Sequence, residues 1–200
     1  MDAVKIVGFQ STTKMASRST LISFDKDLSK TISLYNGYIG SNLFHILRPI
    51  CKAFEWSGHG VIWLVYIGFM ILTEKNISSN FFYKTVFIGL LLDLIVIAIL
   101  KLAFKRQRPF YNEGDLPLSA SKIDGFSFPS GHATRAFMLY VLYLNDFGGF
   151  DSLADIVLLW AVMLGYSRVA LGRHYISDVV VGTLVGLGEG YLSIAIHKAF

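Results

Sequence analysis

From Phe81 to Phe104 the chain reads FFYKTVFIGLLLDLIVIAILKLAF. Lys84 lies near one end of this run, Asp93 lies inside it, and Lys101 begins a basic cluster at the other end. A helix rises 1.5 Å per residue, so a stretch of this length spans the roughly 30 Å hydrocarbon core of a bilayer. A helix also pairs its own backbone polar groups, as a segment surrounded by lipid must. The stretch therefore points to an integral membrane protein. Composition agrees: 54% of the 200 residues are hydrophobic and 16% are charged, against roughly 25% charged in soluble domains.

Four further segments read as crossings: Gly60 to Leu72, Ala133 to Leu144, Leu153 to Val169 and Val179 to Ile196. The sequence thus predicts an all-α, multi-pass membrane helix bundle of about five crossings. The polar stretches TEKNISSN (residues 73–80) and NDFGGFD (residues 145–151) read as loops between them. Phe24 to Lys52 holds no apolar run long enough to cross. Apolar residues recur there at near-helical spacing, as in Leu43, Phe44, Ile46, Leu47 and Ile50, which predicts helices along the membrane interface or against the bundle, broken at Pro49. Residues 1–23 form a polar tail with no apolar core of a signal peptide, and residues 24–200 a single membrane domain. Cys51 stands alone, so no intrachain disulfide is possible. Nothing resembles a basic recognition helix, which speaks against nucleic acid as a partner.

Threading these crossings back and forth brings three polar clusters to one face. The first is KLAFKRQRP, residues 101–109, where a continued helix would align Lys101, Lys105 and Arg108 before Pro109 stops it. Basic residues at a helix end also suit lipid headgroups. The second is PSGH, residues 129–132, at the start of the third crossing. A helix N-terminus offers backbone N–H groups and a positive dipole end to an anion. Ser130 adds a hydroxyl, Gly131 permits close backbone approach, and His132 can exchange a proton near neutral pH. The third is SRVALGRHYISD, residues 167–178, with Arg168 at the exit of the fourth crossing and His174 and Asp178 spaced i, i+4. A carboxylate on one ring nitrogen leaves the other to attack. Together, Lys101, Arg108 and Arg168 suit a polyanion, and phosphoryl transfer needs mainly positioning and charge stabilisation. No group of carboxylates, Cys or His residues offers a metal site, so neither metal nor cofactor is expected.

Lys101-x6-Arg108-Pro109, Pro129-Ser130-Gly131-His132 and Ser167-Arg168-x5-His174-x3-Asp178 resemble, in order and without departure, the three signature motifs of the type-2 phosphatidic acid phosphatase superfamily. FSFPSGHATRA (residues 126–136), GYSRVALGRHYISDV (165–179) and EWSGHGVIWL (55–64) look like its branch acting on polyisoprenoid diphosphates, presqualene diphosphate included. The resemblance implies His174 as the nucleophile of a phosphohistidine intermediate, Asp178 as the residue orienting it, and His132 as the acid on the leaving oxygen and then the base for water. It implies Lys101, Arg108, Ser130, Gly131 and Arg168 as holders of the phosphoryl oxygens.

Ionisable residues inside a membrane are costly and usually paired, which singles out Asp93 and Glu189. Arg135, one turn into the third crossing, either pairs with Asp93 or reaches a second phosphate of a diphosphate. The motif-bearing face carries most of the Lys and Arg, which places the site on the cytosolic side. Asn76-Ile77-Ser78 on the opposite loop is a glycosylation sequon compatible with a lumenal position. The reading is a lipid phosphatase of the endoplasmic reticulum membrane or nuclear envelope, acting on farnesyl, geranylgeranyl or presqualene diphosphate and on monophosphates. Its alternatives are a phosphatidic acid, lysophosphatidic acid or sphingoid-phosphate phosphatase and, in a different class, a catalytically silent membrane scaffold.

Overall fold

The computed structural model describes residues 20–112, 122–148 and 152–199. Residues 1–19 of the expected tail and residues 149–151 of the NDFGGFD loop lie outside the described residues. The rest is a helix bundle: α1 (20–32), α2 (Ser41–Ser57), α3 (Gly60–Thr73), α4 (Ile77–Phe104), a 3₁₀ turn (Lys122–Gly125), α5 (Gly131–Phe147), α6 (Ser152–Ala170) and α7 (Ile176–Ala199). Among the described residues there is no strand, and one antiparallel bridge joins Gln107 to Phe126.

Helices form at all five places where crossings were expected, but they are not equal. Ser79–Phe104, Ser152–Ala170 and Ile176–Ala199 are long and apolar enough to cross a membrane on their own, and α2 and α3 make a fourth crossing only if counted together across a 45° bend. By length and composition alone, three or four of the five expected crossings qualify. The reason lies in α5. It packs against α4, α6 and α7, and Ala133, Ala136 and Met138 are fully buried within the bundle. A helix surrounded by protein does not need the uninterrupted apolar run that lipid demands.

The closest approach is between α5 and α7. Gly182, Gly186 and Gly190 recur every fourth residue on α7, and α5 lies against that strip. A Cβ at Gly186 would sit 2.1 Å from the carbonyl oxygen of Thr134, and one at Gly182 2.7 Å from that of Ser130. Small residues spaced this way let membrane helices approach backbone to backbone. Gly188 faces away, with nothing within 4 Å of its Cβ position. Gly186→Val is therefore expected to cost about 1–3 kcal/mol through forced separation of α5 and α7. Gly188→Val should leave thermal stability and activity near wild type. Melting curves of the two variants in detergent check the contrast.

The two helices run parallel, because Ser130 and Gly182 meet near their starts and Val141 and Gly190 farther along. The N-termini of α5 and α7 therefore share one end of the bundle, joined where the Ser130 N–H donates to the Asp178 carbonyl at 3.0 Å. The ends of α4 and α6 and the bend between α2 and α3 lie at the same end, which gathers the polar clusters on one face as expected. The apolar core of Ile67, Val86, Leu90, Met138, Leu139 and Leu142 lies deeper, and at the far end Asn80 ties α4 to the Ile71 carbonyl of α3.

Three local expectations need correction. Residues 20–23, assigned to the tail, are already helical. Pro49 does not break α2 but sits inside it. It is exposed there, so the carbonyl deprived of its helical hydrogen bond is on the outer side, while Cys51 and Glu55 anchor the inner side. Finally, α4 does not continue through Arg108. It stops at Phe104, and Lys105 takes a left-handed conformation with φ 46° while its N–H still reaches the Lys101 carbonyl at 2.9 Å. This closes the helix as a left-handed capping residue does, so Lys105 leaves the face shared by Lys101 and Arg108.

Candidate active site

His174 occupies the turn between α6 and α7. The Arg168 carbonyl, at the end of α6, accepts hydrogen bonds from the N–H groups of both Arg173 (2.9 Å) and His174 (3.2 Å), with Gly172 at φ 67° turning the chain between them. That hairpin drives the His174 ring inward until it is 2% exposed. Its Nδ1 lies 2.5 Å from the Ser127 carbonyl oxygen. A carbonyl can only accept, so Nδ1 carries the proton and Nε2 presents its lone pair. Burial pushes the His174 pKa well below its ordinary value, and the positive charges of Arg108, Arg168 and Lys101 push it the same way. The imidazole is therefore neutral at neutral pH, as a nucleophile must be.

The three cations named from the sequence all act on this one ring. Lys101 at the end of α4 is 6% exposed and Arg168 is 1% exposed. Arg108 is fixed by a hydrogen bond from Nη1 to the Arg173 carbonyl at 3.0 Å. Ser130 is the N-cap residue of α5, yet its hydroxyl makes no capping bond and has no hydrogen-bond partner although fully buried. Arg168 Nε is likewise buried without one. Unsatisfied buried polar atoms are expensive, so the Ser130 hydroxyl at an uncapped helix start and Arg168 Nε at the end of α6, with Lys101 and Arg108, are suited to an anion. The Cβ position of Gly131 meets nothing closer than Ile97 at 3.4 Å, so protein packing does not require that glycine. Among the described residues no group of three His, Cys, Asp or Glu side chains is placed to hold a metal ion.

One expected partnership differs in the structure, and another takes the first of its two expected forms. Asp178 stands 3.7 Å from His174 Nδ1, beyond hydrogen-bond range, and the Ser127 carbonyl takes the proton instead. Asp178 is itself fully buried, bound to the Tyr175 N–H at 2.9 Å and to Arg106 at 2.6 Å. Arg135 donates from Nη2 to Asp93 at 2.5 Å and from Nη1 to the Gly58 carbonyl at 2.9 Å. It thus pins the α2–α3 bend to α4 and α5, the first of the two possibilities its position raised. His132 lies within electrostatic reach of His174, and its Nε2 is 3.1 Å from the Glu55 carbonyl oxygen. Glu189 is 4% exposed and within electrostatic reach of Asp93 and Arg135.

A residue outside the three signature motifs, the first of the EWSGHGVIWL stretch, holds the centre of the network. Glu55, on α2 and fully buried, accepts from Arg168 Nη1 at 2.6 Å and from Arg173 Nε at 3.1 Å. It neutralises two buried guanidinium groups and aims Arg168. A lone carboxylate in an apolar, membrane-associated helix is the signal that could have found it. Arg173 carries a comparable signal, as a cation next to His174.

Comparison with known proteins adds the lineage. The PAP2 superfamily model matches residues 82–200. The chain belongs to the PAP2 superfamily. It is 32% identical over 132 residues to the probable lipid phosphate phosphatase beta of Arabidopsis thaliana, a match covering 54% of this chain and 62% of that protein. It is 23% identical over 178 residues to the undecaprenyl-diphosphatase of Sulfolobus acidocaldarius, covering 89% and 84% of the two chains. The crystal structure of Aquifex aeolicus LpxE superimposes with a TM-score of 0.63 at 25% identity, over 84% of this chain and 93% of that one. The PAP2 match begins after α3, so α1 and α2, with Asp25 and Glu55, lie outside it even though both residues reach the site.

Proposed function

We propose that this protein is a membrane lipid phosphatase that hydrolyses polyisoprenoid diphosphates through a phosphohistidine on His174. The observation that carries the reading is a buried, neutral imidazole, its Nδ1 proton committed to Ser127, ringed by Lys101, Arg108 and Arg168 beside the unpartnered Ser130 hydroxyl. In the first step Nε2 attacks the terminal phosphorus. An N–P bond forms, the bond from that phosphorus to the bridging oxygen of the lipid phosphate breaks, and His132, entering as the imidazolium with its Nε2–H held by the Glu55 carbonyl, gives the leaving oxygen the proton on Nδ1. In the second step His132 takes a proton from water, the hydroxide attacks phosphorus, and the N–P bond breaks to release phosphate and regenerate His174. Lys101, Arg108, Arg168, Ser130 and the Gly131 backbone hold the equatorial oxygens, where charge is spread in the transition state. The basic residues around the site favour a cytosolic orientation in the endoplasmic reticulum membrane.

A diphosphate substrate is supported by the FSFPSGHATRA stretch and by the likeness to an undecaprenyl-diphosphatase. One observation favours a second reading, a lipid monophosphate: Arg135, the cation available for a second phosphate, is spent on Asp93 and Gly58. The deciding measurement is phosphate release in lipid–detergent micelles containing EDTA, comparing farnesyl, presqualene and longer polyprenyl diphosphates with phosphatidic acid. Faster release from the diphosphates is expected. A preference for phosphatidic acid would transfer the assignment to the second reading, and no release from any lipid would sink both.

A further inference from the structure

Helix α7 is capped by another helix. The first-turn N–H groups of an α-helix have no partner within it and normally bond to a side chain just upstream. Here the Ile176 N–H donates to Ser29 Oγ at 2.9 Å and the Ser177 N–H to Asp25 Oδ1 at 3.1 Å. The Ser177 hydroxyl adds a bond to Asp25 Oδ2 at 2.6 Å. Asp25 and Ser29 are spaced i, i+4 on the inner side of α1, while Leu21, Phe24 and Leu28 are exposed on its outer side.

Arg106 links that cap to the catalytic histidine. Its Nη2 donates to Asp25 at 2.7 Å, and its Nη1 to Asp178 at 2.6 Å and to Ser177 Oγ at 2.7 Å. The guanidinium lies 4.2 Å from the centre of the Tyr175 ring, next in sequence to His174. The Arg106 carbonyl also accepts from the Ser127 N–H at 2.8 Å, and Ser127 is the residue whose carbonyl holds His174 Nδ1. One residue therefore fixes both neighbours of the His174 imidazole, Ser127 through its backbone and Asp178 through its side chain. The cations that act directly on His174 are Arg108, Arg168 and Lys101. Arg106 is turned away from them, toward two carboxylates.

We propose that Arg106 and Asp25 are positioning residues of the phosphatase reaction, acting on His174 through Asp178, so that α1 completes the active site as well as lying at the membrane face. This rests on the phosphatase reading above. Wild type and His174→Ala are compared first, and a wild type inactive on every lipid phosphate sinks both that reading and this inference. With an active wild type, Arg106→Gln, Arg106→Lys, Asp25→Asn, Asp178→Asn and the Arg106→Gln/Asp178→Asn pair are assayed for kcat and KM alongside thermal unfolding. A misplacement of about 1 Å costs on the order of 100-fold, so Arg106→Gln should lower kcat by about 10- to 100-fold with KM nearly unchanged. Arg106→Lys should recover part of that loss, and Asp25→Asn should lose about 3- to 10-fold, since it acts one step farther from the imidazole. Residues that act as a unit are not additive, so in the Asp178→Asn background Arg106→Gln should add less than about 2-fold. A loss confined to KM would make Arg106 a phosphate ligand and overturn the proposal. So would fully multiplicative losses in the double variant. Should Arg106→Gln fail to fold, the isosteric Asp25→Asn carries the test, and wild-type kcat in that variant would overturn it.

Discussion

His174→Ala should abolish phosphate release, by at least about 10⁴-fold, while the helix bundle stays folded. The loss is expected to be near total because no other group can take the ring's place. Its Nε2 is the lone pair surrounded by three cations, and the neighbouring His132 is engaged at Nε2 by the Glu55 carbonyl. The fold should survive because the ring sits in a turn held by backbone bonds to Arg168, which alanine preserves. The substitution also has a pH signature. In the unfolded chain the histidine binds a proton near its ordinary value, whereas in the folded protein burial and the neighbouring cations keep it neutral to well below that. Below that ordinary value the unfolded state holds the extra proton, so stability rises with pH there. The contribution is complete above the unfolded value and is lost as pH falls through the depressed folded one. Thermal melts should therefore show wild type losing stability on acidification more steeply than His174→Ala. The acid limb of wild-type kcat/KM should lie below the usual histidine range. Full activity in His174→Ala would remove the phosphohistidine mechanism.

The parts of this architecture legible in the sequence are those that the chain states locally. A run such as Phe81 to Phe104 allows one solvent and one backbone geometry, and the residues from Lys101 to Asp178 announce themselves because polar groups cluster where apolar spans end. Lys101, Arg108, Ser130, Arg168 and His174 accordingly come together at one end of the bundle. What stayed hidden depends on pairings between distant segments. The partner of His174 Nδ1 is a backbone carbonyl, which no residue type encodes, so an i+4 carboxylate was the natural expectation. The Asp25 and Ser29 cap on α7 spans about 150 residues of sequence. Helix α5 reads as a weak crossing for a reason that is itself tertiary: with α4, α6 and α7 around it, burial replaces hydropathy. The end of α4 is not legible locally because a lysine in the left-handed region goes against its own preference, and the chain beyond it pairs at Gln107 with the distant Phe126.

Glu55→Ala should be the most damaging substitution outside the three motifs. The wild-type carboxylate is fully buried, and its two partners, Arg168 and Arg173, are each 1% exposed. Removing one member of a buried ion pair leaves the other charged and desolvated, at a cost of about 3–5 kcal/mol. For a chain of this size that corresponds to a fall in melting temperature of about 6–20 °C. Glu55→Gln keeps the shape and one acceptor oxygen but drops the charge, so its melting temperature should fall between alanine and wild type. The two variants separate packing from electrostatics, and the electrostatic part bears on catalysis. Arg168 Nη1 is bound to Glu55 while its Nε is unsatisfied, so the same guanidinium is offered both to the carboxylate and to a phosphoryl group. On the proposed reading, Glu55 neutralises the arginines when the site is empty and tempers their grip on the product. Without its charge, inorganic phosphate should bind more tightly. Added phosphate should therefore raise the melting temperature of Glu55→Gln more than that of wild type, because a ligand that binds only the folded state stabilises it in proportion to its affinity. The same variant should show lower kcat with stronger inhibition by phosphate, as release of the bound anion becomes the slow step. Equal phosphate stabilisation of the two proteins would mean that Glu55 serves the fold alone and leaves the strength of the anion site to Lys101 and Arg108.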